Sequence, residues 1–260
     1  MKLTAYIINL PDAVSRRMHI KQTFEKLSIE PVFVEGILGS AVQFPIKSYR
    51  GWAYKLAHGK KTNLAELGCY FSHIKAIQEF LASGQPEALI MEDDVELSND
   101  FETVLDQALK HSERFDMLRL SGLHSGTPLQ ILKLDDDYNL SMFITRQTGA
   151  GAYLVNRKAA NKIVKNLLPM WLPYDHAFDR EWTMGFKTLC VDPLPVIQNK
   201  KFDTQIAADN SYKYPSFIRY MTVLPFRTYN ELSRLVARLI SYLNQSFKQK
   251  KTKVSYKSLP

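Results

Sequence analysis

The chain has 260 residues, 45% of them hydrophobic, and a formal net charge of +8. That length and apolar content suit one large domain with a full core, and no apolar run reaches the roughly 20 residues needed to cross a bilayer. Two cysteines, Cys69 and Cys190, supply neither a disulfide framework nor a metal-ligand spacing, and the amino terminus lacks the features of a secretory signal, so a reducing, cytoplasmic setting is expected.

Thr4 to Leu10 reads as a buried strand, and Asn9-Leu10-Pro11-Asp12 ends it. Ala13 to Leu27 then has helical spacing in Val14, Met18, Ile20, Phe24 and Leu27. Arg16 and Arg17 fall in its first turns, just beyond the strand's carboxyl end. A guanidinium there can pair with a diphosphate, stack on a base or simply lie exposed. Pro31 to Glu35 reads as a second strand, completing a βαβ rhythm. Gly36 to Asn63 shows no periodicity but carries Tyr49, Trp52, Tyr54 and several lysines, which suggests a long binding loop or lid. Leu64 to Phe80 is the clearest helix, with Leu64, Leu67, Phe71, Ile74, Ile77 and Leu81 in one stripe. Gly68 inside it costs about 1 kcal/mol relative to alanine, which predicts a close approach of backbone or ligand. His73, alone on that helix, reads first as a structural hydrogen-bonder.

The chain is organised around Ala88-Leu89-Ile90-Met91-Glu92-Asp93-Asp94-Val95, where four apolar residues run into three carboxylates. Such a run is a strand buried on both faces, and ligands of open α/β sheets bind at strand carboxyl ends. Hard oxygen ligands suit Mg²⁺ or Mn²⁺, which also hold substrate phosphates; the alternative is a solvated acidic turn before the next helix.

A helix from Asn99 to Ser112 and an inner strand from Asp116 to Leu120 follow, then a polar stretch from His124 to Asp137. Ser141 to Thr145 has strand character, and Thr148-Gly149-Ala150-Gly151-Ala152 leads small residues into another strand, without forming a GxGxxG loop. Asn156 caps a helix that reaches Leu167. Leu172 to Trp182 is a second cluster of ionisable groups, with Pro173 at a helix start and Asp175 and Asp179 one turn apart on one face. Two carboxylates so spaced can share base and positioning duties, or merely favour the helix dipole. Lys187 to Val191 reads as the last strand.

The charge is concentrated at the end of the chain. From Pro225 onward there are eight basic residues and one acid, a balance of +7, leaving 26 basic against 25 acidic groups before it. The expected division is therefore a domain over residues 1–224 and a basic tail over 225–260. In that tail Leu232, Leu235, Val236, Leu239, Ile240, Leu243 and Phe247 form an amphipathic stripe flanked by Arg234 and Arg238, with Lys248, Lys250, Lys251, Lys253 and Lys257 after it. It could dock its stripe on the domain, but the charge favours an anionic membrane surface through residues 228–257.

Four motifs in order resemble the family 25 glycosyltransferases: Ile8-Asn9-Leu10 with Arg16-Arg17; Ala65-Glu66-Leu67-Gly68-Cys69 with Ser72-His73; Glu92-Asp93-Asp94; and Gly149 to Tyr153 followed by Asp175-His176-Ala177. The likeness covers roughly residues 3–200. It implies an α/β, GT-A-type nucleotide-sugar-binding mixed sheet flanked by helices, with the amphipathic helical tail beyond it. It implies a UDP-sugar donor, Mn²⁺ or Mg²⁺ on Asp94 and Glu92, and an inverting single displacement onto a lipid-anchored lipooligosaccharide or lipopolysaccharide glycan. Galactose is the hexose of first choice. Asn9, Leu10, Arg16, Arg17, Ser72, His73, Asp93, Gly149 and Gly151 become donor-binding residues. Asp175 is the first choice of general base, Asp179 the second and Glu181 the third. The expected setting is peripheral on the inner face of the cytoplasmic membrane, with no nucleic-acid partner. The rival readings are a Mg²⁺-dependent nucleotidyl- or phosphotransferase, and nucleic-acid binding through the basic tail.

Overall fold

Strict alternation in the inner strands sets the architecture. In β1 (Thr4–Asn9) Ala5 and Ile7 join one apolar cluster and Tyr6 the other; in β3 (Glu87–Glu92) Leu89 and Met91 oppose Ala88 and Ile90 in the same way. Side chains of successive strand residues point to opposite faces, so both faces of the sheet must be covered. Helices α1 (Val14–Phe24) and α4 (Phe101–Leu109) supply Ile20, Phe24, Phe101, Val104 and Leu105 to one cluster. Helices α3 (Leu64–Ala82) and α5 (Arg157–Leu167) supply Leu67, Tyr70, Ile77, Phe80, Ile163 and Leu167 to the other. Truncating a fully buried ring such as Phe80 to alanine should cost about 3–5 kcal/mol.

The structure is a computed structural model describing residues 2–123, 126–199, 217 and 219–257, with the side chains of the last helix described through residue 246. Its remaining strands are β2 (Glu30–Glu35), β4 (Val95–Leu97), β5 (Met117–Arg119), β6 (Pro128–Lys133), β7 (Asn139–Phe143), β8 (Ala152–Asn156), β9 (Thr188–Asp192) and β10 (Val196–Gln198). Eight of the strands form one mixed sheet in the order β2-β1-β3-β8-β5-β9-β7-β6, and β4 pairs with β10 apart from it. β2, β1 and β3 are parallel, and β8 runs antiparallel to both β3 and β5. The start of β8 therefore arrives beside the carboxyl ends of β1, β3 and β5, and that geometry assembles the site.

The expected α/β class and most of the expected elements are present. The stretch from Gly36 to Asn63 is more ordered than a loop, since it contains α2 (Gly51–His58), which buries Tyr54, Ala57 and His58. Eight residues are too few to show a helical period. The polar stretch after residue 124 holds β6, an edge strand that buries little beyond Ile131 and so has no apolar alternation to read. Gly68 meets the expected close approach: a Cβ there would lie 2.4 Å from the Ile37 carbonyl oxygen. Asn156 caps α5 as expected, accepting from the Ala159 N–H at 3.0 Å.

The last helix, α8 (Leu224–Lys257), departs most from expectation. The boundary expected at residue 224 implies an appended tail, but α8 is joined to the domain from Phe226 to Gln245. Phe226 packs on Trp171 with ring centroids 5.6 Å apart, Tyr242 adds to the core, and Gln245 Nε2 donates to the Arg114 carbonyl at 2.9 Å. Its buried residues are Asn230, Arg234, Arg238 and Gln245, while Leu232, Val236, Ile240 and Leu243 stay more than half exposed. The polar face docks and the apolar stripe faces outward. The side chains of Phe247 and the five lysines after it lie outside the described residues.

Candidate active site

β1 and β3 end side by side, Ile8 opposite Glu92, and their last residues meet the turn that follows β3. Asn9 Nδ2 donates to Asp93 Oδ2 at 2.7 Å. Arg16, in the first turn of α1, donates from Nη1 to Asp93 Oδ1 at 3.1 Å and lies 3.7 Å from Asp94 Oδ2. The Gly151 carbonyl, just before β8, accepts the Glu92 N–H at 2.9 Å. A Cβ on Gly151 would come within 3.0 Å of Val95 Cγ1, so the small residues before β8 allow that approach.

Asp94 is the least compensated group here. Gln198 Nε2, at the end of β10, donates to its Oδ2 at 3.4 Å, but its Oδ1 is buried without a hydrogen-bond partner among the described residues. Burial, and then the charge of Glu92, push its carboxyl up to about 6 against the pull of Gln198 and Arg16. Burial also raises Asp93, against the hydrogen bonds of Asn9 and Arg16. Among the described residues, Arg16 contacts Asp93 and Asp94 while Glu92 meets the His73 imidazole, so one guanidinium stands against three carboxylates, a deficit of two charges. A divalent cation matches that deficit, and the orphaned oxygen of Asp94 with Glu92 beside it is a fitting hard donor set.

Glu92 is aimed by a column of rings. His73 Nε2 lies 3.0 Å from Glu92 Oε1, and His73 Nδ1 lies 3.1 Å from the Tyr153 hydroxyl. The imidazole stacks on Tyr174 with centroids 4.2 Å apart and planes 6° from parallel, and the Tyr153 and Tyr174 hydroxyls are 2.8 Å apart. His73 is fully buried with both nitrogens engaged, so it orients Glu92 rather than facing a ligand. The donor atoms of Cys69, His73 and Glu92 lie within 4.8 Å of one another. Burial raises the Cys69 thiol well above its usual value, aided by Glu92, Asp175, Asp94 and Glu66. The thiol is thus neutral, and a hard cation is drawn to the oxygens. That same shift shows Asp175 acting in the same negative field as Glu92 and Asp94.

Asp175 stands in the first turn of α6 (Tyr174–Phe178), half-buried. Its Oδ2 accepts from the Gly149 N–H at 3.3 Å and its Oδ1 from the His176 N–H at 2.9 Å. Gly149 has φ +89°, a left-handed conformation that favours glycine, and a Cβ there would lie 2.8 Å from the Leu123 nitrogen.

The remaining site residues separate from this group. Asp179 closes α6 and is fully buried, with Arg119, Arg238 and Arg234 at 3.2, 2.8 and 3.1 Å. Glu181, opening α7 (Glu181–Met184), takes a two-pronged contact from Arg238 at 2.8 and 2.9 Å. Arg238 also donates to the Phe143 and Thr145 carbonyls, and Arg234 also holds Glu231. Although burial works against its charge, Glu181 and Asp179 hold the Arg238 guanidinium above its ordinary value. A base must reach the acceptor hydroxyl. Asp179 and Glu181 face arginines inside the protein instead, which corrects their place as second and third base. Ser72 is likewise turned inward: its hydroxyl donates to the Gly68 carbonyl and accepts the Ile37 N–H, both at 2.7 Å. Arg17 turns from the acids and stacks over Phe33, 4.6 Å from the ring centroid. Leu10 lies beside Gly36 at the strand end.

A family model described as glycosyltransferase family 25 (LPS biosynthesis protein) matches residues 2–178, more than half of the chain. The chain belongs to glycosyltransferase family 25. A lacto-N-neotetraose biosynthesis glycosyltransferase, LgtE, of Neisseria meningitidis serogroup B is 26% identical over 196 residues, 68% of each protein. A glycosyltransferase 25 family member of Aedes aegypti is 26% identical over 115 residues, 42% of this chain and 19% of that longer protein. Among solved structures, a mannose-1-phosphate geranyltransferase from Thermus thermophilus aligns over 76% of this chain and 74% of its own, at 8% identity and a TM-score of 0.34. That likeness is too low to bear on function.

In this family 25 glycosyltransferase three supporting groups escaped sequence reading: Arg119, the Tyr153–Tyr174 pair, and Gln198. Arg119 had a visible signal, being an arginine inside the apolar run Met117-Leu118-Arg119-Leu120. It donates to the Gly149 carbonyl and to Asp179, tying the loop before β8 to α6. Gln198 had none, because only folding brings β10 against β4.

Proposed function

We propose that this glycosyltransferase moves a hexose, with galactose the first choice, from a UDP-sugar to a lipid-anchored lipooligosaccharide or lipopolysaccharide glycan, inverting the anomeric centre. The fold is read as GT-A-type, and the chain works peripherally at the cytoplasmic face of the inner membrane. The observation that carries this reading is the orphaned Asp94 oxygen in a cluster of three carboxylates opposed by Arg16, at the carboxyl ends of a parallel strand pair.

Glu92 and Asp94 would hold Mn²⁺ or Mg²⁺, which neutralises the charge of the departing diphosphate. Asn9 and Arg16 fix Asp93, and with it the turn that presents Asp94. His73 and Tyr174 fix Glu92. Gly149 and Gly151 keep backbone, free of side chains, at the edge where the sugar would lie. Asp175 is the group with the geometry of a base: half-buried, anchored by two N–H donors, and in the same field as the acids. In a single displacement the acceptor oxygen bonds to the anomeric carbon as the bond to the diphosphate breaks. The acceptor proton passes to Asp175 and UDP leaves.

A panel of UDP-sugars incubated with an oligosaccharide acceptor, in Mn²⁺, in Mg²⁺ and in EDTA, tests the proposal. UDP release confined to one or two hexoses and lost in EDTA is expected. Full activity in EDTA removes the cation, and pyrophosphate release or use of ATP removes the reaction.

A further inference from the structure

An amphipathic surface helix ordinarily turns its apolar stripe to the core and its charges to water. α8 does the reverse. Arg234 and Arg238 are almost fully buried, while Leu232, Leu235, Val236, Leu239, Ile240 and Leu243 are 39–59% exposed. The reversal follows from the ion pairs: Asp179 and Glu181 need buried cations, and both arginines also lie over the Trp182 ring, at 5.3 and 5.6 Å. Turning the apolar stripe inward would leave Glu181 without its arginine and Asp179 with Arg119 alone, at a cost that no exposed leucine outweighs.

The exposed strip continues into the turn before the helix, where Tyr220 and Met221 are 66% and 74% exposed, and Tyr229 is 66% exposed. From Tyr220 to Leu243 it runs about 36 Å along the axis at 1.5 Å per residue. Contiguous apolar surface on this scale marks an interaction site. Charge identifies the occupant. Setting aside Arg234 and Arg238, which are buried against Asp179 and Glu181, the segment from Pro225 onward still carries +5, with five lysines following the strip on the same helix. A second copy of this chain would bring the same positive helix and be repelled. An anionic bilayer is apolar beneath a negative surface and matches both properties.

We infer that α8 lies in the plane of an anionic phospholipid surface, with its Leu232–Leu243 face at the headgroup and acyl boundary. It is a rigid strut there, because Arg234 and Arg238 hold Asp179, Arg119 bridges Asp179 to the Gly149 carbonyl, and Gly149 meets Asp175. The membrane face and the proposed base are thus joined through four side-chain contacts, two of them on the Gly149 backbone. The benefit to catalysis rests on the function proposed above; the lipid contact does not.

The test uses the full chain, because removing α8 would strip Glu181 of Arg238 and Asp179 of two of its three arginines. Co-sedimentation is measured with phosphatidylcholine vesicles and with vesicles also containing phosphatidylglycerol, at low and high salt, for the wild type and for Val236→Glu/Ile240→Glu. Binding that requires phosphatidylglycerol and weakens with salt is expected. The double variant should lose on the order of a hundredfold in vesicle affinity, while its melting temperature and its turnover of a soluble acceptor stay unchanged. Should the variant melt early, Val236→Ser/Ile240→Ser gives the same reading with smaller perturbation. Equal vesicle binding by variant and wild type overturns the inference. So does a wild-type dimer in light scattering that these substitutions dissociate, since the occupant is then a second copy. Vesicle binding by a chain inert toward every UDP-sugar supports the lipid contact and removes the proposed function alone.

Discussion

Two clusters of carboxylates and arginines in this molecule have opposite balances. At the end of β3, Glu92, Asp93 and Asp94 are opposed by Arg16, and one buried oxygen of Asp94 has no hydrogen-bond partner among the described residues. Beneath α6, the acids Asp179, Glu181 and Glu231 are matched by Arg119, Arg234 and Arg238. The second cluster is balanced in charge and holds the fold, its own unbonded oxygen, Asp179 Oδ2, facing Arg234 at 3.1 Å; the first is short of positive charge in the way that a cation would complete. A carboxylate's role is thus set by what faces it.

The largest effect is expected where the imbalance is greatest. Asp94→Asn keeps the shape, removes a buried charge beside Glu92, and should lower transfer on the order of a thousandfold or more. Its melting temperature should hold or rise, since like charges no longer repel there. Cation binding, followed by calorimetry, should vanish with activity. An active variant with intact cation affinity would place the metal elsewhere.

Asp175→Asn comes next. The amide can still accept the hydrogen bond from Gly149, so geometry survives while basicity is lost. A fall in kcat of about 10²- to 10⁴-fold is expected with UDP-sugar affinity unchanged. If donor affinity collapses with kcat, Asp175 belongs to the sugar pocket and the base is another group.

Arg238→Met probes the complete cluster and should act on stability first. It leaves Glu181 buried without its ion-pair partner, at about 3–5 kcal/mol, or roughly 10 °C in melting temperature for a domain of this size. Adding Glu181→Met should recover much of that loss, because a well-packed apolar pair replaces a buried ionic one at little net cost. A double variant as unstable as the single one would show that Arg238 acts chiefly through the Phe143 and Thr145 carbonyls.

These contrasts mark how far the sequence could be read. The acid triplet was legible because three carboxylates ending an apolar strand need a counter-charge, and Gly68 because a mid-helix glycine needs a reason. Asp179 and Glu181 looked like catalytic candidates because their partners lie more than fifty residues downstream on α8. The apolar stripe of α8 was plain, but which face would dock depended on those same distant acids. His73 reads as a structural hydrogen-bonder from its place on the helix and as a donor-binding residue from the family resemblance; its contacts with Glu92, Tyr153 and Tyr174, from three other elements, fit the first reading and not the second.

A buried group with no counter-charge at all completes the series, and its effect should be the smallest. His58 ends α2, packed edge-on against Tyr54 and His176 with centroids 5.1 and 5.4 Å away. Neither ring nitrogen has a hydrogen-bond partner among the described residues. Burial, then the charges of His176, Lys60 and Arg227, push its imidazole down to about 2. Unfolded, it would titrate near the usual value of about 6.5. The folded chain therefore keeps His58 neutral where the unfolded chain binds a proton. Its contribution to stability is whole above pH 6.5 and is lost as the pH falls below that value. Between pH 7 and 5.5 the loss should be about 1 kcal/mol. His58→Phe keeps a ring in the site and cannot titrate, so its urea midpoint should gain on the wild type steadily below pH 6.5. A constant difference between the two across that range would mean that His58 takes up a proton in the folded protein as readily as in the unfolded one, so that burial does not hold it neutral.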